Sequence, residues 1–202
     1  DLIFIANNDI TVRDGSIRNA LEFLVNNSDV VSVSFEGLDP ARPDPFPVRC
    51  GPLVRFGKEL SPARSFEGPE DAPSESPCYL WGAAACVRRE LFAQVRFDEA
   101  MDWGFEDIDL GWSLARRTGM RNVFLPSATI FHMESKTVRE RFREREVWQM
   151  LTRNAILSFA KNATPLELLR ALPYIATNLF RCQRPAALVR EVIARSTQRL
   201  QL

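Results

Sequence analysis

Apolar residues along this chain fall into short blocks separated by turn chemistry, and the period of each block identifies an element. Residues 2–6 read Leu-Ile-Phe-Ile-Ala, a run of strand formers without helical spacing, which predicts a buried strand. It ends in the polar turn Asn7-Asn8-Asp9. After Asp14-Gly15-Ser16, the apolar positions Ile17, Leu21, Leu24 and Val25 share one helical face, and Asn26-Asn27 closes the helix. Residues 30–35 form a second strand. Residues 37–78 hold nine of the 13 prolines and no sustained period of either kind, so they read as a long surface excursion, a functional loop or a variable insertion.

The pattern resumes at residues 79–87, a core strand followed by a short helix near 88–94. An acidic stretch then runs into a helix ended by Gly119. Residues 122–125 and 129–131 are short strands around Pro126, leading to His132. Beyond Val138 the chain reads as helical: a long charged helix to about Lys161, then Thr164-Pro165-Leu166-Glu167, which combines capping-box spacing with Pro at the first helical position. Strands and helices in this order argue for an α/β body with a helical C-terminal appendage.

Composition narrows the classes. With 202 residues, 46% hydrophobic, and 26 basic against 26 acidic side chains, the chain is neither disordered nor globally basic, so no nucleic-acid partner is indicated. The four cysteines form no C-x-x-C pair, which points to a reducing compartment without a zinc site or a dense disulfide framework. No apolar run approaches the length of a bilayer span, and Asp1-Leu2-Ile3-Phe4-Ile5-Ala6 carries no signal-peptide features. The chain is expected to begin inside a strand.

Three groups of residues carry candidate chemistry. Between Asp98 and Asp109 lie six carboxylates and no basic residue, interleaved with Met101, Trp103 and Phe105. Acidic residues also favour a helix N-terminus for electrostatic reasons alone. Rings among carboxylates suit a sugar, whose face stacks on an aromatic while its hydroxyls donate to the acids. Asn7-Asn8-Asp9 is either a simple turn or, at the carboxyl end of a presumed parallel strand, a ligand position. His132, the one histidine, is either structural or a ligand.

Taken in order, Asn7-Asn8-Asp9, Trp81-Gly82-Ala83-Ala84, Arg88-Arg89-Glu90-Leu91-Phe92, Phe97-Asp98-Glu99, Phe105-Glu106-Asp107-Ile108-Asp109-Leu110, Pro126-Ser127-Ala128 and His132 resemble the family 2 inverting glycosyltransferases, particularly the rhamnosyltransferase-like branch. The resemblance covers about residues 2–160. It implies a GT-A type mixed sheet flanked by helices, here lacking the first strands, which hold the donor's base and ribose. Residues 1–137 would be the metal-binding, catalytic and acceptor part, and residues 138–202 a helical C-terminal extension.

By position, Asn7-Asn8-Asp9 stands where that family has its D-x-D motif. Asp9 would then reach a divalent metal, Mg²⁺ or Mn²⁺, on a nucleotide-diphosphate sugar. His132 would be a second ligand, and Asn7, Asn8, Gly82, Ala83 and Lys136 would lie on the donor side, although an exposed solvated lysine is the simpler reading of Lys136. Asp107 matches the general base of an inverting displacement, with Glu106 orienting acceptor or base; its helix N-terminal position is expected to keep Asp107 ionised. Trp103 and Asp102 are placed with the acceptor, Trp103 having a core reading beside it. The Gln-x-x-Arg-Trp motif of processive members is not found in Gln149-Met150-Leu151-Thr152-Arg153-Asn154. Transfer of one or few sugars to a saccharide or lipid-linked acceptor is implied, in surface polysaccharide or glycolipid assembly. A non-catalytic carbohydrate-binding or assembly domain derived from such an enzyme is the alternative.

Charge is uneven. Residues 1–137 hold 14 Lys/Arg and 21 Asp/Glu, a net of 14 − 21 = −7, and residues 138–202 hold 12 and five, a net of 12 − 5 = +7. The basic helices offer Leu166, Leu168, Leu169, Leu172, Ile175, Leu179 and Phe180 as apolar surface. That surface suits packing on the domain, a homodimer, or peripheral contact with an anionic membrane from the cytoplasmic side.

Overall fold

A computed structural model of the chain describes residues 1–38, 74–76, 80–132, 142–182 and 185–199. Six strands form one mixed sheet: β1 (Leu2–Ala6), β2 (Ile10–Val12), β3 (Val30–Leu38), β4 (Ser74–Ser76), β5 (Ala84–Arg88) and β6 (Arg121–His132). Their order is β1-β5-β3-β6-β2, with β4 also paired to β6. Among the described residues only β3 and β6 pair in parallel. The others are antiparallel, including β1 on β5, so β1 has no parallel partner among the described residues, contrary to the expectation from its sequence.

Period-2 alternation sorts the side chains onto two faces, except that the register irregularity between Val30 and Ser32 of β3 turns Val31 to the face opposite Val33. Val33 and Phe35 of β3, with Ala84 and Cys86 of β5, pack under helix α1 (Ser16–Asn26), whose Ala20 and Leu24 are fully buried. Val31, Ala85 and Val87 point the other way, onto Leu110 and Leu114 of helix α3 (Glu106–Thr118). Between them in sequence, the short α2 (Arg89–Phe92) continues directly from β5. Arg88 fastens the layers: its guanidinium donates to the backbone carbonyls of Leu24, Asn27 and Val30, closing the exposed end of α1 as basic groups do. On the α3 side, buried Asn122 accepts from the Ser32 hydroxyl at 2.5 Å and donates to the Gly111 carbonyl at 2.9 Å.

Among the described residues, three helices follow β6: α4 (Glu144–Asn162), α5 (Pro165–Arg181) and α6 (Pro185–Arg199). Helix α3 is apolar on both sides. Its Ile108 and Trp112 pack on Ala155 and Phe159 of α4 and Ala171 of α5, with the Trp112 and Phe159 rings edge-to-face at 5.0 Å. The structure is therefore layered α1, sheet, α3, then α4 with α5. Thr164 and Glu167 form the expected capping box ahead of Pro165, and Gly119 closes α3 with φ 68°.

Several boundaries differ from the sequence reading. The two short strands around Pro126 are one strand, because β6 absorbs residues 126–128 as an irregularity between the pairs Phe35↔Leu125 and Glu36↔Thr129. The strand expected at 79–87 begins only at Ala84, which leaves Gly82 and Ala83 as turn. Ile10–Val12, to which the sequence assigned no element, is a strand. Of the excursion at 37–78, Gly37 and Leu38 belong to β3 and residues 74–76 to β4; the rest lies outside the described residues.

Candidate active site

Strand β2 has only three residues, and its register decides the first half of the site. Ile10 is paired with His132 across the ladder, so Asp9, one residue before, arrives beside the imidazole. Asp9 Oδ1 lies 3.3 Å from His132 Nε2. The histidine is 6% exposed and its ring meets Trp81 edge-on at 6.0 Å, while the Asp9 side chain is about one-third open. Two donors bound cis on an octahedral ion with bonds of about 2.1 Å sit about 3 Å apart, so this pair fits a divalent cation as two of its ligands. Among the described residues no third acid, histidine or cysteine joins them; any further ligands would come from substrate or water. A carboxylate with an imidazole is a donor set that Mn²⁺ accepts more readily than Mg²⁺.

The second half is built at the start of α3. Gly104 and Phe105 both adopt left-handed backbone, φ 76° and 75°, which is strained for the phenylalanine. This double bend stops the preceding coil and starts the helix at Glu106. Asp107 then turns back onto the sheet: its Oδ2 accepts from the Gly82 backbone N–H at 2.9 Å and its Oδ1 from the Ile108 N–H at 2.7 Å. A Cβ on residue 82 would lie 3.0 Å from the Asp107 Cβ, tighter than ordinary van der Waals contact, so a side chain there would press on Asp107.

Burial pushes the Asp107 carboxyl up to about 7, and the neighbouring Glu106 charge adds to the rise, while the backbone N–H groups pull partly back. The expectation that the helix N-terminus keeps Asp107 comfortably ionised is thus corrected: desolvation outweighs the dipole. Glu106 is raised as well, chiefly by burial, against backbone hydrogen bonds that include Gly104. Its Oε2 is buried without a hydrogen-bond partner among the described residues. Two adjacent carboxyls whose proton affinity is raised by burial are suited to accepting a proton and orienting a hydroxyl.

Helix α4 supports this corner with residues whose role the sequence reading missed. Asn154, fully buried, donates to the carbonyls of Trp103 and Gly104 at 2.9 and 2.6 Å, which satisfies the bend that its two left-handed residues create. Arg153, 6% exposed, pairs with Asp102 and with Glu191 of α6, each at 2.9 Å. Asp102 is therefore held by an arginine as well as facing the cleft. Nothing in Gln149-Met150-Leu151-Thr152-Arg153-Asn154 marks Arg153 and Asn154, because the groups they hold, Asp102 and the Trp103 carbonyl, lie 51 residues earlier in the chain.

These parts open on one cleft of about 870 Å³, lined by Asn7, Asn8 and Asp9, by Trp81, Gly82 and Ala83, by Asp102, Trp103, Glu106 and Asp107, and by His132. Every candidate site residue in the described portion borders it. The Asn7 N–H donates to the Ala83 carbonyl at 3.0 Å and so joins the first two of these segments. Lys136 lies outside the described residues.

No family model matches the chain, and no curated protein matches it. Solved structures do. GalNAc-T7 with UDP, GalNAc and Mn²⁺ superposes with TM-score 0.54 at 15% identity, over 79% of this chain and 31% of that one. The mannosyltransferase PcManGT from Pyrobaculum calidifontis, with GDP-Man and Mn²⁺, gives 0.52 at 17% identity, over 96% of this chain and 50% of that one. The mixed sheet and its helices are those of the GT-A glycosyltransferase fold, and the chain spans 31% and 50% of the length of these two structures.

Proposed function

We propose that the chain carries the catalytic and acceptor side of an inverting glycosyltransferase of the family 2, rhamnosyltransferase-like type. It would move a sugar from a nucleotide-diphosphate donor to an acceptor hydroxyl with the help of Mn²⁺ or Mg²⁺. The observation that carries the reading is the convergence, in one cleft, of a carboxyl raised to about 7 with an Asp9–His132 pair spaced for a divalent cation. The two similar structures, whose ligands are UDP or a GDP-sugar with Mn²⁺, support it.

In this mechanism Asp107 accepts the proton of the acceptor hydroxyl as that oxygen attacks the anomeric carbon and the bond to the nucleotide diphosphate breaks on the opposite side. A carboxyl near 7 is well matched to that work, since enough is ionised at neutral pH and the proton affinity is high. Glu106, with its unpartnered Oε2, orients the acceptor; Trp103 supplies its stacking surface and Asp102 a hydrogen-bond acceptor at its edge. Asn7, Asn8, Gly82 and Ala83 line the donor side, with Lys136 near the phosphates. Asp9 and His132 would hold the cation, whose charge offsets that developing on the leaving diphosphate. Absence of the Gln-x-x-Arg-Trp motif supports transfer of single or few sugars, in cytoplasmic steps of polysaccharide or glycolipid assembly.

Calorimetry with UDP and GDP, with and without Mn²⁺, tests the donor side: metal-dependent binding that Asp9→Ala and His132→Ala weaken at least about tenfold is expected. Asp107→Asn is expected to lower transfer about 10³-fold while leaving nucleotide affinity intact. Normal transfer by Asp107→Asn would overturn the assignment of the base. Saccharide binding without any nucleotide binding would favour the non-catalytic alternative.

A further inference from the structure

Helix α5 is apolar on both sides. Ala171, Tyr174 and Ile175 pack on α3 and α4, yet Leu166, Leu169, Pro173, Ala176 and Phe180 follow one another at intervals of three and four residues along the solvent side. Leu166, Leu169 and Phe180 are 55%, 62% and 88% exposed, and Leu172 beside them 50%. Monomeric proteins seldom leave a continuous apolar stripe of this kind in water. The sequence reading placed Ile175 on that surface; the structure turns it inward.

The charges around the stripe decide what covers it. Glu167 is the one acid on α5. It is occupied by the cap at Thr164 and by an ion pair with Arg116. Arg170 and Arg181 remain, and Arg181 stands over the Trp148 ring at 6.0 Å. Next to Phe180, a cleft of about 480 Å³ is lined by Arg145, Trp148, Gln149 and Arg181, with Glu144 as its acidic member, a setting that suits a phosphate group. The surrounding segment, residues 138–202, is net positive by 12 − 5 = +7.

We propose that the exposed face of α5 docks on an anionic phospholipid surface. Leu166, Leu169, Leu172 and Phe180 enter the headgroup boundary while Arg145, Arg170 and Arg181 meet lipid phosphates, in the manner of an interfacial amphipathic helix. Pairing of two copies through the same face would bring two net-positive segments together, which disfavours a homodimer. No described helix is long and apolar enough to cross the bilayer, so the contact is lateral. Met150 and Leu151, on the same helix α4 as Trp148, line the candidate cleft. The lipid contact itself does not depend on the chain transferring sugar.

Vesicle co-sedimentation of the chain tests this, with phosphatidylcholine vesicles compared with phosphatidylcholine containing phosphatidylglycerol. Binding to the anionic vesicles at least tenfold tighter than to the neutral ones is expected, with a steep loss in high salt. The double variant Leu169→Glu/Phe180→Glu changes only exposed side chains; it is expected to keep its thermal midpoint and lose the binding. Arg170→Gln/Arg181→Gln should lower affinity for the anionic vesicles and leave the weak neutral binding unchanged. Equal binding of wild type and the double-Glu variant would overturn the proposal. So would absence of vesicle binding, or a dimer in analytical ultracentrifugation that the double-Glu variant dissolves.

Discussion

The cleft between the sheet and α3 and the outer face of α5 break the ordinary rules of burial in opposite directions. At the cleft, Asp107 and Glu106 are carboxyls drawn out of water, and their proton affinity rises as a result. On α5, Leu169 and Phe180 are apolar groups left in water. Neither arrangement favours the folded state. Elsewhere the chain follows the rules closely, with apolar alternation on β3 and β5 and buried polar groups such as Asn122 matched to partners. Where local stability is given up at two specific places, a function at each place is the economical explanation. The supports differ too: backbone donors and a left-handed bend fix the cleft carboxyls, whereas the α5 face is held from behind by helix packing and the Glu167–Arg116 ion pair.

After Asp107→Asn itself, the largest effect on this contrast is expected from Gly82→Ala. The added methyl would meet Asp107 at 3.0 Å and displace the carboxyl from its backbone donors, so transfer is expected to fall between about 10- and 100-fold, as misplacement of a reacting group does. Unchanged kinetics would show that Asp107 need not sit against Gly82. Next comes Asn154→Ala, which leaves the Trp103 and Gly104 carbonyls without their buried donor. About 2 kcal/mol of stability should be lost in denaturant unfolding, together with a fall in kcat larger than any change in KM.

The smallest effect concerns pH and stability. Asp107 has a folded value near 7 against an ordinary carboxyl value of 3.8. In the folded state its protonated form is favoured, so its contribution to stability is fully present below about pH 4 and is lost as pH rises through 7. Relative to wild type, Asp107→Asn should therefore gain about 1–2 kcal/mol in unfolding free energy between pH 5 and pH 8, a discounted figure because the side chain keeps some contact with solvent. Transfer by the wild type should fall about tenfold per pH unit below 7. A stability difference that does not change with pH would place the Asp107 carboxyl in water and remove the contrast with α5.

Much of this organisation was legible in the chain. The periodicity marked α1, β3 and α3, the Thr164-Pro165 signal marked α5, and the ordered short motifs pointed to a glycosyltransferase-like body. What escaped were features that depend on partners distant in sequence. Ile10–Val12 is too short to have a period, and becomes a strand only because β6 offers an edge at His132. The value of Gly82 is invisible until Asp107, 25 residues later, folds against it. Arg153 and Asn154 read as ordinary helical residues, yet they hold the bend ahead of Glu106 and the loop at Asp102.

By itself, the sequence determined the local states, because helix caps, strand formers and apolar spacing act over a few residues and need no partner to be read. It also determined the balance of charge, acidic in the first part and basic in the second. Only the tertiary structure decided which carboxyl would be drawn from water, which histidine face would meet Asp9, and which side of α5 would be left uncovered. Desolvation and ligand spacing are properties of surroundings, and here those surroundings are assembled from segments more than a hundred residues apart, as Asp9 and His132 are.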